Sequence, residues 1–245
     1  MRRFFIDAAA AAGAICPITG PDANHIKNVL RMKPGDAIWL FNGAGMEFKG
    51  VIHSVDSEAV TVEITGAFSC ATESPIRLTL AQAFLKDKKM DALVRQATEL
   101  GVTRWIPVFT QRTIPRPDAR RVSSRMERWQ AIAAESLKQC GRGRLPEIEP
   151  PILFEDLLSR SDDWSLKIIF ADAKAPGLND TLPSQEATVR RVLVMIGPEG
   201  GFTPEEIDRA IKKGFIAASL GPRILKADTA TVGACAIVQH LLGDM

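Results

Sequence analysis

Met195-Ile196-Gly197-Pro198-Glu199-Gly200-Gly201-Phe202-Thr203-Pro204-Glu205-Glu206 reads as strand, tight loop and helix in succession. The apolar run from Val192 precedes it, while Thr203, Pro204 and Glu206 supply an N-cap, a first-turn proline and the far arm of a capping box. Three glycines and a proline between a buried strand and a helix start leave main-chain N–H groups uncovered, so a ligand can lie directly on the backbone. A second corner follows, Leu220-Gly221-Pro222-Arg223-Ile224-Leu225-Lys226-Ala227-Asp228-Thr229-Ala230, again strand, glycine loop and helix. Two such corners suggest one pocket. Either loop alone also fits an ordinary strand-to-helix connection, and neither matches the dinucleotide fingerprint or the P-loop.

A chain of 245 residues with 46% hydrophobic and 24% charged residues can bury a full core and fits one large or two small domains. The net charge of +2 permits an anionic partner without requiring one. Cys16, Cys70, Cys140 and Cys235 lack CxxC spacing, and His25, His53 and His240 are equally dispersed. This argues against a metal site, a disulfide framework or a Cys–His nucleophile pair, and fits a reducing cytoplasm. The start, Met1-Arg2-Arg3-Phe4-Phe5-Ile6, could open an export signal, but Asp7 breaks the apolar stretch and only weakly hydrophobic alanines follow. No run approaches the roughly 20 apolar residues of a membrane span.

Residues 1–72 read as β-like pieces at Arg3–Ile6, Ala37–Phe41, Gly50–Val55 and Val60–Ile64, with turn signals at Pro34-Gly35-Asp36 and Asn42-Gly43. A small β-barrel with one short helix, Pro21–Arg31, is expected there. Polar residues from Cys70 to Pro75 mark a boundary. Residues 73–245 then alternate strands with longer helices: strand Leu78–Leu85, helix Lys88–Leu100, strand Arg104–Phe109, helix from Ser123 or slightly earlier, helix Phe154–Ser159 and strand Leu166–Phe170. A loop over Ala171–Glu186, helix Pro204–Lys213, strand Ile216–Leu220 and helix Asp228–Leu242 complete it. That alternation specifies an α/β domain with a parallel sheet, whose ligands sit beyond strand ends such as Phe170. The last helix begins with small residues that admit a close neighbour, from this chain or from a second copy.

Charge concentrates between Gln111 and Arg128, where Arg112, Arg116, Arg120, Arg121, Arg125 and Arg128 outnumber Asp118 and Glu127. Such a run suits either a solvated helix face or the phosphates of a nucleic acid. Arg142 and Arg144 past the helix, each beside a glycine, add a basic tip and favour RNA. Lys27, Arg31 and Lys33 form a smaller cluster in the first domain, with the same two readings.

The words GPEGG at 197–201, LGPRIL at 220–225 and the small-residue helix beyond resemble the RsmE family of 16S ribosomal RNA uridine N3-methyltransferases, members of the SPOUT class. Gln139 to Arg142, the arginine of Thr110-Gln111-Arg112 and the segment 89–102 carry the likeness further along the chain. The resemblance implies a PUA-like RNA-binding domain over 1–72 and, over 73–245, a SPOUT domain tied into a deep trefoil knot. It implies S-adenosyl-L-methionine held by Phe170, Ile196 to Gly201, Leu220, Gly221, Arg223, Ile224 and Leu225. It further implies 16S ribosomal RNA or the assembled small subunit as substrate, and a homodimer through the knot domain.

On this reading RNA is gripped by Lys27, Arg31, Arg112, Arg116, Arg121, Arg125, Arg142, Arg144 and Lys226. Methylating uridine N3 requires removal of its imide proton and stabilisation of charge on O2 and O4. Arg112 is assigned the second task, such that Arg112→Ala should reduce turnover with cofactor affinity nearly intact. Glu199 is a candidate base or a loop-ordering carboxylate. Where the family usually has arginine and glutamate, this chain has Lys226 and Asp228, and Asp228 also suits a helix N-cap. Another RNA as substrate, or a non-catalytic ribosome-assembly role, is the alternative.

Overall fold

A computed structural model describes residues 3–6, 13–86, 89–160, 163–171, 175–181 and 189–245. Asp7 with the following alanine run, Lys88, and residues 172–174 and 182–188 of the loop after Phe170 lie outside the described residues. The chain forms two compact units, Met1–Glu73 with Ala134–Leu145, and Ser74–Ala133 with Pro146–Met245. Residues 134–145, expected in the second domain, thus belong to the first.

The first unit contains β1 (Arg3–Phe5), β2 (Ile15–Thr19), β3 (Ala37–Phe41), β4 (Met46–Val55) and β5 (Ala59–Ser69), in the order β1-β3-β4-β5-β2. Only β1 and β3 run parallel. The expected small barrel takes the form of a curled sheet whose edge strands β1 and β2 do not pair with each other among the described residues. Its curl comes from register shifts at Lys49/Gly50 and Ile52/Ser54, since a bulge bends its strand. Gly50 is required at the first, because a Cβ there would stand 2.4 Å from a Val62 methyl. Alternate residues Phe48, Ile52, Val60, Val62 and Ile64 face inward and are buried. β2 escapes a propensity reading because Pro17 sits in it, which an edge strand tolerates. The expected short helix is α1 (Gly20–Asn24), followed by one wider π turn over His25–Val29 and ended by Arg31 at φ 52°.

The second unit has a parallel sheet of β6 (Arg77–Ala83), β7 (Val102–Phe109), β8 (Glu147–Ile148), β9 (Ile152–Leu153), β10 (Leu166–Phe170), β11 (Arg191–Ile196) and β12 (Ile216–Ala218). The order is β12-β10-β11-β6-β7-β8, with β9 also on β7. Helices α2 (Lys89–Glu99), α4 (Phe154–Ser159), α5 (Leu178–Thr181) and α6 (Pro204–Lys212) connect its strands, α3 (Ala119–Cys140) has residues 119–133 in this unit and 134–140 in the first, and α7 (Ala227–Leu242) follows β12. The central strands are buried on both faces, which is why they read as unbroken apolar runs. In β11 every residue after Arg191 is buried, each large side chain contributing about 1.5–3 kcal/mol. Phe170 of β10 lies in register with both Ile196 of β11 and Ala218 of β12, so the chain leaves three parallel strands at one edge.

Candidate functional site

The two glycine corners meet at that edge. After Ile196 the chain turns back through a hydrogen bond from Gly201 N–H to the Pro198 carbonyl, 2.8 Å, with Gly201 at φ 68°. A Cβ on Gly197 would stand 3.2 Å from both the Gly201 carbonyl carbon and the Phe202 ring, so side chains are excluded from the inside of the turn. Thr203 closes the loop: its hydroxyl accepts from Glu206 N–H while the Glu206 carboxylate accepts from Thr203 N–H, the capping box read from the sequence. The second corner carries Gly221 at φ 103°. It ends on Lys226, whose extended backbone caps α7, rather than on Asp228. Asp228 stands inside the first turn, where its carboxylate accepts, among the described residues, only from the adjacent Thr229 N–H.

Between the corners lies a cavity of about 300 Å³, at the small end of the roughly 300–1,000 Å³ range of small-molecule sites. Phe170, Ile196, Gly197, Pro198, Glu199, Gly200, Gly201, Leu220, Gly221, Arg223, Ile224 and Leu225 all line it. Sequence reasoning missed Ala171, Phe202, Ile207, Ala227 and Ala230. The run of small residues opening α7 was the signal for the two alanines. Cβ atoms built on Gly201 or Gly221 meet no atom within 4 Å, so both glycines border open space. Among the described residues the lining is backbone and apolar carbon, with Arg112, Glu199 and Arg223 as its charged members.

Glu199 orders the loop. Its Oε1 accepts from Lys86 N–H at 3.1 Å and lies 3.4 Å from the Lys89 ammonium. Partial burial opposes its ionisation, but hydrogen bonds from its own amide and that of Lys86, with the Lys89 charge, outweigh it and hold the carboxyl below its ordinary value. Such a carboxylate is a poor proton acceptor at neutral pH. The geometry therefore favours the loop-ordering role over the base.

Arg112 reaches the same loop from the segment after β7, its Nη1 donating to the Gly200 carbonyl at 2.8 Å and the Phe202 carbonyl at 3.3 Å. A guanidinium carries five N–H donors, and no partner for Nη2 or Nε occurs among the described residues. Through its two Nη1 bonds Arg112 buttresses the cavity wall.

The other basic residues fall into each unit separately. In the second, Arg116 is exposed, with its guanidinium 5.0 Å over the Phe109 ring and a hydrogen bond to the Thr110 carbonyl. Arg121 is exposed near Asp118, Arg125 is half-buried over Phe84, and Lys226 is exposed. In the first unit Arg31 and Arg144 are exposed, while Lys27 donates to the Asp56 and Ser57 carbonyls.

Arg142 does not belong with them. It is 3% exposed, and its Nε and Nη2 donate to Glu73 Oε2, while Glu73 Oε1 accepts from the N–H groups of Gly143 and Arg144. This clamp explains why 134–145 joins the first unit. Among the described residues, no three His, Cys, Asp or Glu side chains cluster as a metal site, and no helix is long and apolar enough to cross a membrane.

A family profile described as an RNA methyltransferase domain matches residues 72–239, and one described as an RNA methyltransferase PUA domain matches residues 18–65. The chain is 28% identical to ribosomal RNA small subunit methyltransferase E of Bacillus subtilis, covering 98% of this chain and 96% of that protein. It is 32% identical to the protein of the same name from Buchnera aphidicola subsp. Schizaphis graminum, covering 91% and 89%. The crystal structure of ribosomal RNA small subunit methyltransferase E from Neisseria gonorrhoeae bound to S-adenosyl methionine superposes with a TM-score of 0.90 at 31% identity, covering 100% and 99%. With most of its length and its fold thus shared, the chain belongs to the ribosomal RNA small subunit methyltransferase E family.

Proposed function

We propose that this protein transfers a methyl group from S-adenosyl-L-methionine to N3 of a uridine in 16S ribosomal RNA. The observation that carries the reading is the cavity whose two walls are bare glycine corners. Its lining fits the cofactor, because the space bordered by Gly201 and Gly221 is open and the surrounding main chain can hydrogen-bond an adenine and a ribose. Ile196 to Gly201 and Leu220 to Leu225 would hold it, against Phe170 and Ile207. When bound, it supplies a methyl group on a positively charged sulfur, already activated for transfer.

The chain's own residues then have to position the uridine and stabilise its anion. Arg112 is the acceptor-side group. Its Nη1 is engaged with the loop, and its remaining donors suit O2 or O4 of a uridine losing its N3 proton. Because Glu199, the one carboxylate among the described residues that line the cavity, is held ionised, we assign the proton to solvent. On this account Arg112 promotes loss of the N3 proton by stabilising the anion left behind.

The reading extends to architecture and setting. The C-terminal corners would be threaded as the trefoil knot of the SPOUT class, the enzyme would act in the cytoplasm on free 16S RNA or the assembled small subunit, and two copies would associate through the knot. Ile224, 93% exposed at the cavity rim, supports the pairing, since none of the described residues covers this large apolar side chain. Deleting the gene and surveying ribosomal RNA by mass spectrometry tests activity and substrate together. Loss of one methyl group from a 16S uridine is expected, and an unchanged pattern overturns the assignment.

A further inference from the structure

Glu206 is 1% exposed, yet its carboxylate accepts from two backbone donors that are far apart in the chain. Oε2 takes the N–H of Thr203 at 2.9 Å, which is the capping box. Oε1 takes the N–H of Gln111 at 2.8 Å, in the segment between β7 and α3, a contact that no helix cap requires. The residue after Gln111 is Arg112, whose Nη1 returns to the Gly200 and Phe202 carbonyls. The contacts form a ring from Glu206 through Gln111 and Arg112 to Gly200, Phe202 and Thr203.

The chemistry of the side chain matters. An ionised carboxylate offers an acceptor oxygen to each N–H, whereas the isosteric glutamine offers one oxygen and one NH2 and would set a donor against one of the two buried amides. Its place in the first turn of α6 stabilises the negative charge through the helix dipole. We propose that Glu206 is a positioning residue that sets Arg112 against the glycine loop and so aligns the acceptor side of the cavity with the donor side. This rests on the reading of the cavity as a methyl-donor site and of Arg112 as the acceptor-side group.

The test compares Glu206→Gln, Arg112→Ala and the double variant. In ligand-free protein, amide hydrogen exchange in Glu206→Gln should quicken both at 110–113 and at 199–206. Acceleration confined to 203–206 would reduce Glu206 to a helix cap and overturn the proposal. With saturating cofactor and RNA, Glu206→Gln should lower kcat by about 10- to 100-fold, in the range of a displaced catalytic contact. If Glu206 acts through Arg112, the double variant falls no further than Arg112→Ala alone, while effects that multiply overturn it. Glu206→Asp keeps the charge but is one methylene too short to reach both amides, and serves with the same outcomes if the glutamine variant fails to fold. Should the wild type transfer no methyl group, the functional reading fails, and the exchange measurement still decides the ring.

Discussion

Thr231 Oγ1 lies 2.5 Å from Gln82 Oε1, both side chains fully buried, joining the first turns of α7 to the end of β6. Gln82 is the register partner of Ile196, where the first glycine corner begins, and Ala227 and Ala230 beside Thr231 line the cavity. The Gln82 amide donates to the Ala83 carbonyl, so the hydroxyl completes its partners. Thr231→Val keeps the shape and leaves a buried oxygen without a donor, a loss of about 1–3 kcal/mol. A lower Tm is expected, together with weaker cofactor binding by calorimetry as α7 loosens. An unchanged Tm would remove the bond from the stability of the site.

Gly221 and Gly201 separate backbone strain from cavity space. At φ 103° and φ 68° an alanine is strained at either, by about 1–2 kcal/mol, and its methyl enters the space bordered by the cavity. Both Gly→Ala variants should therefore weaken cofactor affinity by more than tenfold. Gly233, inside α7, also has nothing within 4 Å of a built Cβ, but its backbone is helical. Gly233→Ala is expected to stabilise the protein by about 0.5–1 kcal/mol without altering the affinity. Equal losses in all three variants would argue against a site between the corners.

Arg142 marks where sequence reasoning stopped. The parallel strands, the capping box and both corners were legible because each announces itself within a dozen residues, through an apolar run, a Thr-to-Glu spacing or a glycine. The Arg142 clamp is not local, since Glu73 lies 69 residues away, and a buried arginine cannot be told from an exposed one by its neighbours in the chain. β2 was hidden for the opposite reason, because Pro17 is acceptable only once its strand is known to be an edge. Arg142→Ala takes the cation from a partly buried Glu73 carboxylate that keeps its two backbone donors, and should cost about 1–3 kcal/mol. The drop should appear in urea unfolding of the RNA-free protein. Wild-type stability with weakened RNA binding would return Arg142 to the RNA surface.

Cys235 sits at 0% exposure in α7, and burial pushes its thiol up to about 12. The thiolate is the reactive form, so this cysteine should stay inert at neutral pH. Cys70 and Cys140 are only half-buried. Titration with a disulfide reagent at pH 7.5 is expected to label these two in the native protein and to reach Cys16 and Cys235 only after denaturation. Rapid native labelling of Cys235 would mean that α7 opens readily.

The pH dependence of turnover decides what removes the uridine proton. Glu199 is held below its ordinary value, so it stays ionised above about pH 5 and cannot titrate near neutrality. Its ion pair with Lys89 should lose any stabilising effect only as pH falls through that lowered value, so Tm differences between wild type and Glu199→Gln should shrink only below the ordinary carboxylate range. If the proton leaves to solvent, log kcat climbs steadily between about pH 6 and 8 as more uridine ionises. Glu199→Gln should then weaken cofactor binding, through a looser 197–201 loop, and leave the slope of that profile unchanged. A wild-type profile that flattens at a carboxylate value, and a Glu199→Gln profile that does not, would make Glu199 the base after all.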